Sequence, residues 1–330
     1  MNKSLLEVPV VILFYIRPDT LKKVFEMVKQ ARPSILFLIQ DGPENDNVKD
    51  LELIKECRLI VENIDWDCAV YKNYSELNLG CGVRPYSGIS WVFKHVERAI
   101  ILEDDCVPAL SFFKFCDEML ERYKDDQRVG IISGLNHFDE YYFGGCSYGF
   151  AKSAGIWGWA TWKDRWAKYT EEDFLLPKIT NDYVKKCLLM DISPKFAAKH
   201  RVSSWSKQNV KLNKNNYVPS YWDSQWSLVR YLNSWVSIVP KYNQITNIGI
   251  GNGATHSVNH IKYLPKKISR FFFKETRELS FPLIHPDYLL ADRNYDKRYY
   301  KIIHPNFLIR ISQRLHRCVI KFIYINNKVR

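Results

Sequence analysis

The sequence predicts an α/β protein built on a doubly wound, mostly parallel sheet, and three observations predict it. Short apolar runs at residues 8–14, 35–39 and 99–102 show no polar alternation, the pattern of strands buried on both faces. Segments with helical spacing separate them, giving the alternation that builds parallel sheets. Charged or turn-forming residues follow the runs: Arg17, Asp41 and Glu103-Asp104-Asp105. In open α/β sheets ligands bind at the carboxyl ends of the strands, so this is where a site is expected.

The elements follow in order. After the strand at 8–14, Pro18 and Asp19 open a helix to about residue 31. The strand at 35–39 ends on Gln40-Asp41-Gly42-Pro43, a turn signal. Residues 47–62 have helical spacing, 68–71 read as a third strand, and 83–98 as a helix. The strand at 99–102 delivers the acid triplet. A helix from residue 108 to about 123 and a short strand at 129–133 complete this half. Beyond Phe138 the texture changes. Residues 139–170 are rich in Gly, Tyr and Trp, residues 176–220 read as helices and loops, another helix follows Trp222, and glycines return at Gly249, Gly251 and Gly253. There is no internal repeat and no low-complexity linker, so the second half is expected to be fused to the first around one cleft.

At 330 residues, 46% hydrophobic and 15% aromatic, the chain can bury a sizeable core and is not disordered. Its eight cysteines are scattered without a CxxC pair, which argues against zinc ligation and a dense disulfide framework. The N-terminal apolar segment lacks a small-residue cleavage site and no run reaches the ~18–20 apolar residues of a spanning helix. A reduced, cytoplasmic setting is expected. The net charge of +12 is uneven, with no acidic residue after Asp296. Arg310, Arg314, Arg317 and Lys321 fall on one helical stripe beside Ile311, Leu315, Cys318 and Phe322. That pattern suits docking on the inner face of a membrane, and equally a C-terminal helix packed on its own domain with a solvated basic face.

Three adjacent carboxylates repel one another unless a cation sits among them. A divalent ion bridging a diphosphate supplies it, because hard cations prefer carboxylate and phosphate oxygens. The bland reading is a solvated acidic loop.

Seven short blocks occur in order over residues 8–257. They are Val8-Pro9-Val10-Val11 through Arg17-Pro18; Gln40-Asp41-Gly42; Ile101-Leu102-Glu103-Asp104-Asp105 with Phe112-Phe113; Ser133-Gly134-Leu135-Asn136; Gly155-Ile156-Trp157-Gly158-Trp159; Tyr221-Trp222-Asp223; and Gly253-Ala254-Thr255-His256-Ser257. Together they resemble glycosyltransferases of the GT-A fold, most closely the N-acetylglucosaminyltransferase I type and bacterial HlpA-like glycosyltransferases. The last ~70 residues are not covered.

The resemblance implies a Rossmann-like, mostly parallel twisted sheet flanked by helices, with a fused helical and loop region on the acceptor side. Residues 1–138 would form the nucleotide-sugar-binding core. Residues 139–260 would form the acceptor and catalytic-base region of the same domain, and 261–330 a basic extension with an amphipathic helix. It implies Asp105 as the direct ligand of Mn²⁺ or Mg²⁺, Asp104 against the ribose or hydrated metal, and Glu103 near the donor sugar. Asp41 would accept hydrogen bonds from the base or ribose, though it also suits a turn before Gly42-Pro43. Arg17 would contact the nucleotide, by stacking or by forking onto phosphate. Asn78 and Arg84 would flank a cationic loop near the diphosphate. His256 would reach the metal or diphosphate, with Thr255 and Ser257 on phosphate, and the glycines from Gly249 to Gly253 would form a lid. Trp157, Trp159 and Trp162 suit a sugar platform or the core, with Trp157 nearer the ligand. Asp223 would be the catalytic base of an inverting transfer, and it also suits a helix N-terminus. Where the related pattern carries Asp-Asp this chain has Asp223-Ser224, and it has Ser87 or Gly88 where a nucleotide-contacting histidine stands.

The implied reaction moves a sugar from a nucleotide-sugar donor, a UDP-sugar first, to a hydroxyl of a glycan or lipid-linked acceptor in bacterial surface polysaccharide synthesis. Three other enzyme and binding classes stay open. A sugar-1-phosphate nucleotidyltransferase would also use such a sheet, but no glycine-rich phosphate loop with a following Arg and Lys lies near the N-terminus. A non-catalytic glycan-binding protein would keep the hollow without the base. A nucleic-acid-binding protein is suggested by the pI of about 9.2; against it, the strand-end acids repel phosphate unless a metal bridges them, and nucleic acid is not the partner expected first.

Overall fold

A computed structural model describes residues 3–44, 47–170, 181–212, 222–250 and 269–303. The architecture is α/β, as the sequence predicts. An eight-stranded sheet carries helices on both faces, in the order β3-β2-β1-β4-β8-β6-β9-β7. Four neighbouring strands are parallel: β3 (Ala69–Tyr74), β2 (Ile35–Gln40), β1 (Val10–Phe14) and β4 (Arg98–Glu103). Beside them β8 (Trp159–Trp162) lies antiparallel to both β4 and β6 (Val129–Ser133). β9 (Val236–Pro240) runs parallel to β6, and β7 (Tyr148–Ala151) closes the far edge antiparallel to β9. The sheet therefore runs unbroken across residue 138.

All five residues of β1 are buried. Val10, Ile12 and Phe14 pack on one face against Leu21, Val24, Phe25 and Val28 of helix α1 (Pro18–Ala31). Those four positions are spaced three, one and three apart, one apolar helical stripe. On the other face Val11 and Leu13 join Ile89 and Val92 of α3 (Gly80–Val92). Helix α2 (Val48–Val61) begins at Asn47, whose side chain accepts the Lys49 N–H at 3.1 Å, an N-cap legible in the sequence.

The start of α3 differs from expectation. It begins at Gly80 instead of residue 83 and ends at Val92. Its cap is tertiary: the Asp41 carboxylate accepts the N–H groups of Leu79 and Gly80 at 2.8 and 2.9 Å. A cap 38 residues away in sequence leaves no local signal.

The Gly, Tyr and Trp-rich stretch after Phe138 contributes β7, β8 and helix α5 (Lys163–Thr170). Trp159 is fully buried and stacks on Trp222 at 5.8 Å, with Trp226 at 5.9 Å and Trp166 at 6.1 Å. This aromatic block joins helix α8 (Trp222–Leu232) to the sheet. Glycines in the same region allow close approach. At Gly158, with φ of 60°, a Cβ would lie 2.3 Å from Ile245. Helices α4 (Leu110–Arg122), α6 (Asp182–Asp191), α7 (Lys195–Leu212) and α9 (Arg293–Ile303) complete the described elements. No described helix is long and apolar enough to cross a membrane. The basic stripe expected over residues 306–322 lies outside the described residues.

Candidate active site

Strands β1 and β4 are parallel neighbours, with Leu13 level with Glu103. From β1 the chain crosses to β2 on one side, while β4 lies on the other, so a crevice opens between them at the carboxyl ends. Arg17 and the acid triplet meet in that crevice. The Arg17 guanidinium pairs with Asp104 Oδ1 at 2.6 Å and with Asp105 Oδ2 at 2.9 Å. Asp104 also accepts the Tyr15 N–H at 3.2 Å, and its own N–H reaches Leu13 O at 2.9 Å. Asp104 and Asp105 are 2% and 7% exposed.

One arginine does not balance three carboxylates. Burial, with Asp105 and Asp104 adjacent, pushes the Glu103 carboxyl well above the usual range against the pull of Arg17. Burial pushes Asp104 up to about 6, opposed by Arg17. Burial disfavours the Arg17 cation, but Asp104 and Asp105 outweigh it and hold it charged. Ligand atoms of Glu103, Asp105 and Cys106 lie within 4.8 Å of one another. Burial and the Asp105 charge keep Cys106 a thiol in this structure, and its Sγ donates to Asp105 Oδ1 at 3.2 Å; the carboxylates of Glu103 and Asp105 are the ligand atoms that are charged or accept hydrogen bonds. They make an all-oxygen set with surplus negative charge, which fits a hard divalent cation such as Mg²⁺ or Mn²⁺.

β10 (Ile245–Asn247), paired with β5 (Cys106–Pro108), and the residue after it fix Asp105 from the other side. These two strands pair antiparallel, with Asn247 opposite Cys106. Asn247 Nδ2 donates to Asp105 Oδ1 at 3.3 Å, and the Ile248 N–H donates to Asp105 O at 2.9 Å. Gly249 then passes directly over the carboxylate: a Cβ there would sit 1.9 Å from Asp105 Oδ2 and 3.0 Å from Arg17 Nη1. Gly249→Ala is therefore expected to displace Asp105 and weaken binding of Mn²⁺ at the acid cluster by about tenfold or more. Titration calorimetry checks this, and wild-type affinity in the variant would contradict it.

Asp41 is 6% exposed, and its carboxylate accepts three main-chain N–H groups, from Gly42, Leu79 and Gly80. Burial raises its proton affinity against those bonds. Arg84 is also buried. Its guanidinium donates to Gln40 O at 3.0 Å and to Asn73 Oδ1 at 2.8 Å, joining the ends of β2 and β3. Asn78 Nδ2 donates to Gly42 O at 2.9 Å. In this structure all three tie the loops around the crevice together. They still border it: Arg17, Asp41, Asn78, Arg84, Glu103 and Asp104 line one hollow of about 130 Å³.

Asp223 lines a second, larger hollow of about 270 Å³, with Trp157, Arg201, Ser227, Arg230 and Tyr299. The two hollows share no lining residue, but they are electrostatically adjacent. The Asp223 charge adds to the upward push on Glu103 and on Cys81, both of which border the first. Burial raises the Asp223 carboxyl above the ordinary aspartate value, opposed by the Ser224 N–H and by Arg201. Trp157 is half-buried against Phe272 at 4.8 Å between ring centres, while Trp159 and Trp162 belong to the core. His137 borders the second hollow as a neutral ring. Burial, with Lys274 and Arg230 nearby, pushes it down to about 3.

Thr255, His256 and Ser257 lie outside the described residues. Sequence reasoning passed over Tyr15, Asn247, Arg201 and Arg230. For Arg230 a signal existed, an arginine inside the apolar run Trp226-Ser227-Leu228-Val229 and Tyr231-Leu232. Asn247 carried none, because its role depends on a strand pairing between distant segments.

No protein-family model matches the chain, and neither does any curated protein. Solved structures similar to it include UDP-glucose pyrophosphorylase complexed with UDP-glucose, at 11% identity and a TM-score of 0.30 over 50% of this chain and 80% of that one. A second is 4-diphosphocytidyl-2C-methyl-D-erythritolsynthase from Anaerococcus prevotii DSM 20548, at 11% identity and 0.31 over 54% and 80%. A third is apo-UDP-glucose pyrophosphorylase, at 11% and 0.34 over 73% and 93%. Overlaps this loose carry no conclusion about chemistry.

Proposed function

We infer that the protein is an inverting, cation-dependent glycosyltransferase that moves a sugar from a nucleotide-sugar donor to an acceptor hydroxyl. The observation that carries this reading is the adjacency of two unlike hollows. One is bordered by an acid cluster at the sheet's switch point that Arg17 balances only in part. The other is bordered by a single half-buried carboxylate with raised proton affinity.

In this reading the donor lies in the β1–β4 crevice. Glu103 and Asp105 would hold Mg²⁺ or Mn²⁺, with Asp104 beside them, and a cation there neutralises the departing nucleoside diphosphate. Arg17, freed from the acids that it now pairs with, can fork onto phosphate or stack on the base. Asp223 accepts the proton of the acceptor hydroxyl as that oxygen attacks the anomeric carbon from the side opposite the diphosphate. Trp157 offers a flat apolar face to a sugar ring. The proposed acceptor is a glycan or lipid-linked saccharide, and UDP-sugars are the first donors to test.

Sugar-1-phosphate nucleotidyl transfer would need the triphosphate cradled near β1. The connection there is Tyr15-Ile16-Arg17, with no glycine to let phosphate approach the backbone.

A thermal-shift panel of UDP-, GDP-, CMP- and dTDP-sugars, with Mn²⁺ or with EDTA, tests the reading. At least one donor should raise the melting temperature, and only with the cation. No shift with any of them would remove the nucleotide-sugar assignment. The pH profile is a further expected outcome. Protonated Asp223 cannot accept a proton, so kcat/KM should rise with pH as it ionises. Its raised proton affinity sets that limb above the ordinary aspartate value of about 4. A profile flat down to pH ~4 would exclude Asp223 as the base.

A further inference from the structure

The second hollow carries a feature that general base chemistry does not require. Positions 223, 227 and 230 are spaced four and three apart, so Asp223, Ser227 and Arg230 share one face of α8, and all three border this hollow. Arg201 of α7 faces them from the neighbouring helix, its Nη1 donating to Ser227 Oγ at 2.9 Å. Arg230 is 4% exposed, yet its guanidinium is poorly matched. Its Nη1 and Nη2 reach Ser237 Oγ and Ala154 O only at 3.4 Å, and its Nε has no partner. The buried Nε of Arg201 has none either. Among the described residues, neither guanidinium lies within 4.0 Å of a carboxylate. The buried acid on the neighbouring helix, Asp296, is committed to Ser153 Oγ and to the N–H groups of Lys152 and Ser153.

Two enclosed cations without a paired anion are costly, and unsatisfied buried N–H groups add to the cost. Arginine is suited to remedy both at once by gripping an oxyanion with its planar fork. Asp223 is the one acid among the described residues that border this hollow, so its formal balance is two positive charges against one negative. The crevice at β4 has the opposite excess, so a diphosphate has its place there and not here.

We propose that Arg201 and Arg230 form an anion subsite that selects an acceptor saccharide bearing a phosphate or carboxylate substituent. The assignment of this hollow to the acceptor rests on the reading of Asp223 as the base. Asp223 and Arg230 are seven positions apart on the helix, a rise of ~10 Å along the axis. The recognised charge therefore lies away from the hydroxyl that reacts. Such a subsite would give discrimination that stacking on Trp157 cannot, because a neutral acceptor leaves both guanidinium groups unpaired.

Titration calorimetry on the full chain, in EDTA, tests the subsite without knowledge of the natural acceptor. The probes are inorganic phosphate and glucuronate, with glucose as the neutral control. Saturable binding of phosphate, glucuronate or both, and none of glucose, is expected, and the stronger probe names the substituent. Arg230→Gln should weaken that binding at least tenfold, and Arg230→Lys, which keeps charge but loses the fork, should fall between. In a separate titration without EDTA, excess UDP-sugar with Mg²⁺ should not displace the probe. Failure of both anions to bind the wild-type chain overturns the proposal, as does equal binding by Arg230→Gln or displacement by nucleotide sugar. If anion binding holds while no nucleotide sugar binds, the subsite stands and the glycosyltransferase reading falls instead.

Discussion

Asp223→Asn is expected to cut turnover by ~10²–10⁴ while donor affinity stays at the wild-type level. The substitution removes one proton-accepting oxygen and little else. Asp223 sits in the first turn of α8, where asparagine is also well tolerated, so the helix should form normally. It borders the second hollow and not the β1–β4 crevice, so on the proposed reading nucleotide-sugar binding has no contact to lose. Its charge does raise the proton affinity of Glu103, and neutralising it should if anything ease ionisation there. A kcat loss with unchanged donor affinity is the pattern of an interaction made only as the reaction proceeds. Retained turnover would take Asp223 out of the mechanism.

Asp105→Ala is expected to abolish cation-dependent donor binding. Asp105 offers carboxylate oxygens beside Glu103, and its position is fixed by Arg17, Asn247 and the Ile248 N–H. The fold should survive, since removing one of three crowded acids relieves repulsion on Glu103 and Asp104. Calorimetry with a UDP-sugar and Mn²⁺ checks it. Binding that persists in the variant, or in EDTA with wild type, would show that the acid cluster is not a cation site.

Much of the parallel core was legible because buried strands carry unbroken apolar runs, and β1, β2 and β4 fall where those runs lie. The meeting of Arg17 with Asp104 and Asp105 was legible for the same reason, since each follows a strand of one parallel sheet. What stayed hidden depends on contacts between distant segments. The early start of α3 needs Asp41, and the grip on Asp105 needs β5 to pair with β10. β7 and β9 lie at the far edge, where antiparallel pairing across a Gly and Tyr-rich stretch gives little periodic signal. The burial of Arg84 shows a further limit: a motif position marks a residue near a ligand loop, while its bonds to Gln40 and Asn73 are fixed only by the folded strands.

The central claim is that the bond broken in the donor is the one between sugar and diphosphate. Phosphorus NMR of the enzyme with Mg²⁺ and a nucleotide sugar it binds, with and without added pyrophosphate, reads that bond directly. Slow release of the nucleoside diphosphate, indifferent to pyrophosphate and lost in Asp105→Ala, is the predicted result. Appearance of sugar 1-phosphate and nucleoside triphosphate on adding pyrophosphate would contradict it.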